Sequence, residues 1–187
     1  MVKEVIVKDE VVIPEGVEVH IDGLKIRVRG PKGEIVRDFG SFKNIKLLRE
    51  GNKIIVLSYF ANRRLKALTY TIGRHVRNMI DGVTKGFRYK LKIVYAHFPT
   101  TVKVSGDKVI VENFMGEKSP RIAKILGNVK VCVKGDDVIV EGADINEVAQ
   151  TAANIERATK VADLDRRIFV DGIYIYEKGY ALGGSLC

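Results

Sequence analysis

Apolar and polar residues alternate with period two through most of the N-terminal third of the chain. Val17-Glu18-Val19-His20-Ile21 and Leu24-Lys25-Ile26-Arg27-Val28-Arg29 do so on either side of Asp22-Gly23. That pattern predicts a hairpin with one apolar face, and it puts Lys25, Arg27 and Arg29 on the polar one. Residues 1–10 are mixed in charge and predict a short strand or a loose end. Val11-Val12-Ile13 then reads as a strand closed at Pro14-Glu15-Gly16. Further strands are predicted at Glu34–Phe39, Ile45–Arg49 and Ile54–Ser58, with Gly51-Asn52 turning between the last two. After Asn62 the period changes. Leu65, Leu68, Ile72, Val76 and Met79 recur at helical spacing, so an amphipathic helix is predicted from Asn62 to Ile80, stopped by Asp81-Gly82.

The second half repeats the first. Phe98-Pro99 corresponds to Ile13-Pro14, Gly106 to Gly23, Gly116-Glu117 to Gly33-Glu34, and Gly135 to Gly51. A helix follows in both copies. The second opens on Asp144-Ile145-Asn146-Glu147, which has the spacing of a capping box, and carries the stripe Val148, Ala152 and Ile155. Gly86 to Tyr95 alternates Phe87, Tyr89, Leu91 and Ile93 with Arg88, Lys90 and Lys92, as a strand opening the second copy. The expected fold class is α+β: two tandem duplicated domains, each a small, mostly antiparallel sheet with one helix packed on one face. The expected boundaries are 1–82 and 83–187.

Composition adds a partner class. The 187 residues are 46% hydrophobic with a formal net charge of +9, enough for a real core and biased toward a polyanion. Residues 1–82 hold 16 Lys/Arg against 10 Asp/Glu, and residues 83–187 hold 16 against 13. The basicity therefore belongs to folded surfaces in both halves rather than to a tail. No apolar run reaches membrane-spanning length and Met1-Val2-Lys3-Glu4 is no signal sequence, so a cytoplasmic protein is expected. Cys132 lies in an apolar alternation and Cys187 is the last residue, so neither a disulfide nor a zinc site is expected.

Catalytic chemistry finds no foothold. His20, His75 and His97 are far apart, and each reads as structural. Walker loops, dinucleotide fingerprints and nucleophile elbows are lacking. Gly30-Pro31-Lys32-Gly33 reads as a turn before a phosphate cradle, and Asp136-Asp137 as a hairpin tip before a metal site. The expectation is no enzyme, no cofactor, no metal and no small-molecule substrate.

Three basic clusters remain. Arg63, Arg64, Lys66, Arg74 and Arg77 lie off the first helix's stripe, and for Arg74 and Arg77 a merely solvated face is favoured. The loop Phe114-Met115-Gly116-Glu117-Lys118-Ser119-Pro120-Arg121, with Lys124, offers cations, a flexible glycine and exposed Phe and Met side chains. The stretch from Asp163 to Lys178, preceded by Arg157 and Lys160, carries Arg166, Arg167, Phe169, Tyr174 and Lys178. It reads equally as a rigid corner for phosphates or as a solvated strand. Gly116 and Gly172 are both expected at positive φ.

Arg167-x-Phe169-x-Asp171-Gly172-Ile173-Tyr174 resembles the C-terminal signature of the large-subunit ribosomal protein L-six family, called L-nine in eukaryotes. Ile13-Pro14-Glu15-Gly16-Val17, Arg29-Gly30-Pro31-Lys32-Gly33-Glu34 and Asn78 to Phe87 resemble the same family, in family order. Ala96-His97-Phe98-Pro99 is similar to its archaeal and eukaryotic form. The resemblance implies a two-domain structural protein of the large ribosomal subunit that binds large-subunit rRNA, mainly through the second domain, near the sarcin–ricin loop. Neighbouring ribosomal proteins and docking translational GTPases are the other implied partners; a membrane is not. The candidate rRNA-binding residues in the loop are Phe114, Met115, Gly116, Lys118, Arg121 and Lys124. Those near the C-terminus are Arg157, Lys160, Arg166, Arg167, Gly172, Tyr174 and Lys178. A free regulatory or RNA-modifying protein is the alternative; it would need a perturbed acid or base in a pocket. Peripheral membrane binding would need an apolar helix face not committed to a core.

Overall fold

The computed structural model describes residues 4–42, 44–96, 98–161, 165 and 167–182. The chain divides into two units, Met1–Lys85 and Gly86–Cys187. In the first, the strands are β1 (Glu4–Val12), β2 (Glu18–Asp22), β3 (Lys25–Gly30), β4 (Gly33–Asp38), β5 (Ile45–Glu50) and β6 (Lys53–Ala61), followed by α1 (Arg63–Thr84). Two antiparallel sheets result, ordered β1-β6-β5 and β2-β3-β4. Residues 4–10, readable as a loose end, pair with β6 as one continuous strand. Val7 and Val11 are buried while Ile6 and Val12 point to solvent, so the alternation is real but masked in sequence by apolar residues on both faces.

α1 starts as its sequence dictates: Asn62 Oδ1 accepts the Leu65 N–H at 2.8 Å. It ends later than expected, at Thr84 rather than before Asp81-Gly82. Gly82 is buried within the helix, and the residue that turns the chain out is Gly86 at φ 71°. The extra turn buries Val83 completely against Gly30, where a Cβ would lie 2.8 Å from the Val83 carbonyl oxygen. The helix glycine Gly73 has an equally local cause. A Cβ there would stand 1.8 Å from Asp9 Oδ2. Asp9, mostly buried, pairs with Arg77, so Arg77 is a structural partner and not simply part of a solvated face.

The second unit repeats the plan with β7 (Phe87–Val94), β8 (Thr101–Ser105), β9 (Lys108–Glu112), β10 (Arg121–Lys124), β11 (Lys130–Lys134), β12 (Asp137–Gly142) and α2 (Ile145–Ala158), then adds β13 (Gly172–Tyr180). Its sheets are ordered β10-β9-β8 and β11-β12-β7-β13, again with antiparallel pairs. Phe87, Tyr89, Leu91 and Ile93 of β7 face the core with Val148, Ala152 and Ile155 of α2. The basic face of β7 is neutralised locally. Arg88 pairs with Glu141, Lys90 with Glu177 at 2.9 Å and Lys92 with Asp137 at 3.4 Å. Asp144 caps α2 through the Asn146 N–H. Glu147 reaches outward instead, to the Asn128 N–H, filling the space beside Gly127. Cys132 is buried and disulfide-bonded, which corrects the expectation drawn from its sequence context.

Candidate nucleic-acid interface

The candidate residues of the second unit gather around the C-terminal end of α2, and backbone chemistry explains why. Thr159, the C-cap, is buried. Its Oγ1 accepts the Ile173 N–H at 3.0 Å and donates to the Glu156 carbonyl at 3.2 Å. The chain after Thr159 therefore leaves the helix and returns to the same point before entering β13. Asp171, fully buried, fixes that return by accepting the Ala96 N–H at 2.9 Å.

Gly172 is buried and not at positive φ, contrary to expectation. It is small for another reason. Residues two apart on a strand share a face, so the Tyr174 ring folds over Gly172; a Cβ there would lie 2.8 Å from the ring. The Tyr174 hydroxyl donates back to the Val170 carbonyl at 3.1 Å. One face of the ring is thus packed on backbone while the side chain stays 42% exposed. Gly116 does sit at φ 77°, with the Phe98 ring 3.3 Å from where a Cβ would be.

The loop before β10 differs from its reading in one respect. Phe114 is 1% exposed and belongs to the core, with Met115 packed partly against it. Arg121 lies over the Phe114 ring at 4.4 Å. Its guanidinium grips both oxygens of Glu117 and donates to the carbonyls of Ala158 and Lys160, at 3.0 and 3.2 Å. The Arg121 hydrogen bond holds the Glu117 carboxyl below its ordinary range. Arg121 therefore works as a clamp tying the Glu117 loop to the end of α2, and most of its donors are already used. Asn154 ties β10 to the same helix by donating to the Lys124 carbonyl at 3.0 Å.

This leaves Lys118, Lys124, Arg157 and Lys160 exposed around one helix end. None of the four belongs to an ion pair among the described residues, whereas Arg88, Lys90, Lys92 and Lys103 of the same unit all do. Arg167 projects from the returning loop, 90% exposed. It is bracketed by Asp165, whose carboxyl is lowered first by the Arg167 backbone N–H and then by its side chain. Such an exposed pair is weak and opens readily to another anion. Arg166 lies outside the described residues. Lys178 stands apart near the other end of β13, about 20 Å along the strand from Gly172, with its ammonium 5.8 Å from the Tyr89 ring centre.

Between the helix end and β13 lies a hollow of about 230 Å³ lined by Glu156, Arg157, Thr159, Lys160, Val161 and Tyr174. Glu156, Thr159 and Val161 escaped the sequence reading. The available signal was a threonine and a carboxylate set among cations at a helix terminus. Elsewhere, His75 Nδ1 accepts from the Arg37 guanidinium at 3.2 Å, a structural contact, and His20 is exposed on β2; His97 lies outside the described residues. Among the described residues no cluster of His, Cys, Asp and Glu has the makings of a metal site, and no helix is long and apolar enough to cross a membrane.

The family described as Ribosomal protein L6 matches residues 13–86 and again 98–172, one match in each repeat. The large ribosomal subunit protein uL6 of Staphylothermus marinus is 61% identical over 182 residues, covering 96% of this chain and 98% of that one. Its counterpart in Aeropyrum pernix is 59% identical over 178 residues, covering 95% and 98%. That of Ignicoccus hospitalis is 57% identical over 182 residues, again covering 95% and 98%. With both repeats matched and identity sustained from end to end, the chain belongs to the ribosomal protein L6 family.

Proposed function

We propose that this chain is a structural constituent of the large ribosomal subunit, in the cytoplasm, and that it holds large-subunit rRNA through its second unit. The relatives' names support the first part. The observation that carries the second is the group of four unpaired cations, Lys118, Lys124, Arg157 and Lys160, fixed around one helix end by Arg121 and Thr159. The binding surface belongs to residues 83–187, with Arg167 beside it; residues 1–82 form the supporting repeat. In this role the protein performs no reaction. Its cations replace counterions on phosphates, and its rigid backbone sets where those phosphates can lie. A-form RNA hides its base edges in a deep groove, so shape and backbone contacts dominate over sequence. The family resemblance extends the reading to a site near the sarcin–ricin loop, beside neighbouring ribosomal proteins and docking translational GTPases.

The test is sedimentation of the tagged chain with large subunits through a high-salt wash, followed by RNA crosslinking. Retention in the large-subunit peak, with crosslinks from residues 115–124 and 157–167, is the expected result. Loss from the subunits, or crosslinks confined to residues 1–82, would overturn the reading.

A further inference from the structure

We propose that the hollow between the end of α2 and β13 holds a single unpaired nucleotide, whose base stacks on Tyr174. This rests on the rRNA-binding reading and names what that surface takes beyond duplex backbone. Size comes first. At about 230 Å³ the hollow is smaller than the ~300–1,000 Å³ of pockets that hold drug-sized ligands, and fits one planar ring system. The Tyr174 ring is preorganised for stacking. One face rests on Gly172, the hydroxyl is tied to the Val170 carbonyl, and the rest of the ring is exposed. Little motion is left to freeze when a base arrives, and base–aromatic stacking contributes about 1–3 kcal/mol per base.

Charge decides between a base and a phosphate inside the hollow. Arg157 and Lys160 line it without ion-pair partners, but Glu156 lines it too. A carboxylate repels a phosphate and accepts hydrogen bonds from the amino edge of a base. The arrangement therefore separates the two parts of a nucleotide: the phosphate lies toward Arg157 and Lys160, and the base edge toward Glu156. Bases that present an amino group, guanine above all, are preferred over uracil. A continuous duplex cannot enter, because its bases are stacked on one another.

The experiment uses the full chain and RNA hairpins of one sequence. One is fully paired, and the others carry a single bulged guanine, uracil, 2-aminopurine or abasic site. The expected result is about tenfold tighter binding of the guanine bulge than of the paired or abasic hairpin, with uracil in between. The 2-aminopurine emission should be quenched on binding. Tyr174→Leu should abolish both the quenching and the bulge preference, and Tyr174→Phe should keep the quenching. Equal affinity for bulged, abasic and paired hairpins, with the usual steep salt dependence, would overturn the base pocket and leave backbone binding standing. Absence of salt-dependent binding to every hairpin would overturn the reading beneath it as well. Because the RNA changes leave the protein intact, the answer does not depend on how the Tyr174 variants fold.

Discussion

The two units share a scaffold and differ in what is added to it. β1-β6-β5 with α1 corresponds to β7-β12-β11 with α2, and each unit carries a second three-stranded sheet. In the first unit the strand equivalent to β7 pairs only with β6 among the described strands. In the second that other edge is taken by β13, and the chain that delivers β13 first loops out and back to the end of α2. The helices differ in the same sense. α1 runs 22 residues and carries exposed Arg63, Arg64 and Arg74 spread over about 16 Å of its length. α2 stops after 14 residues and leaves Arg157 and Lys160 at its end, beside a clamp, a hollow and a fixed tyrosine. Duplication supplied a stable frame twice; the proposed binding surface lies where the second copy departs from the first.

The largest expected effect separates stability from binding. Gly73→Ala drives a methyl into Asp9 and disturbs its pairing with Arg77. Arg77 is 38% exposed and can partly rehydrate, so a loss of about 2–3 kcal/mol is expected for the first unit, below the cost of breaking a fully buried pair. Denaturant unfolding should show it, while affinity for an rRNA fragment at low temperature stays within about twofold. A matching loss of affinity would show that the first unit carries binding too.

Gly172→Val acts on the other side of the comparison. It displaces Tyr174 and, through Ile173, strains the hydrogen bond to Thr159. We expect about 2 kcal/mol off the second unit and weaker assembly into subunits than for any single Lys→Ala change. Normal incorporation of Gly172→Val would remove the need for a shaped corner.

Much of this frame was legible in sequence because turns and periodicity are local. The glycine correspondences survive as paired hairpins, and α2 begins at the cap its residues announce. The misreadings have local causes as well. Asp81-Gly82 reads as a stop by residue type, yet Gly82 is buried inside the helix and Gly86 supplies the positive φ. Phe114 sits in a loop, where an aromatic looks exposed until the chain folds it under Arg121. Gly172 reads as a turn glycine at positive φ, whereas a ring approaches it closely, and such an approach leaves no mark in turn propensity. The hollow could not be read at all, because Glu156 and Tyr174 meet only after β13 returns.

The smallest expected effect concerns the clamp. Arg121 keeps the Glu117 carboxyl below its ordinary pKa, so the ion pair adds stability above the unfolded value near 4.5 and loses it as pH falls through the lower folded value. With Glu117 largely exposed to solvent, Glu117→Gln should cost the second unit about 0.5 kcal/mol at neutral pH. The difference from wild type should shrink below pH 4.5 and vanish in stronger acid. A difference that persists unchanged in acid would mean that the clamp is not electrostatic.

The central claim is that the unpaired cations at the end of α2 hold rRNA phosphates and the paired cations of β7 do not. The measurement is the slope of log affinity against log salt for an rRNA fragment, with wild type, Arg157→Ala/Lys160→Ala and Lys90→Ala/Lys92→Ala, each shown to be folded. Each lost phosphate contact flattens the slope by roughly 0.7 to 0.9. The account predicts that the Arg157/Lys160 variant flattens it by roughly 1.5, and that the Lys90/Lys92 variant leaves it where wild type has it. Equal slopes in all three proteins, or flattening only on loss of Lys90 and Lys92, would contradict it.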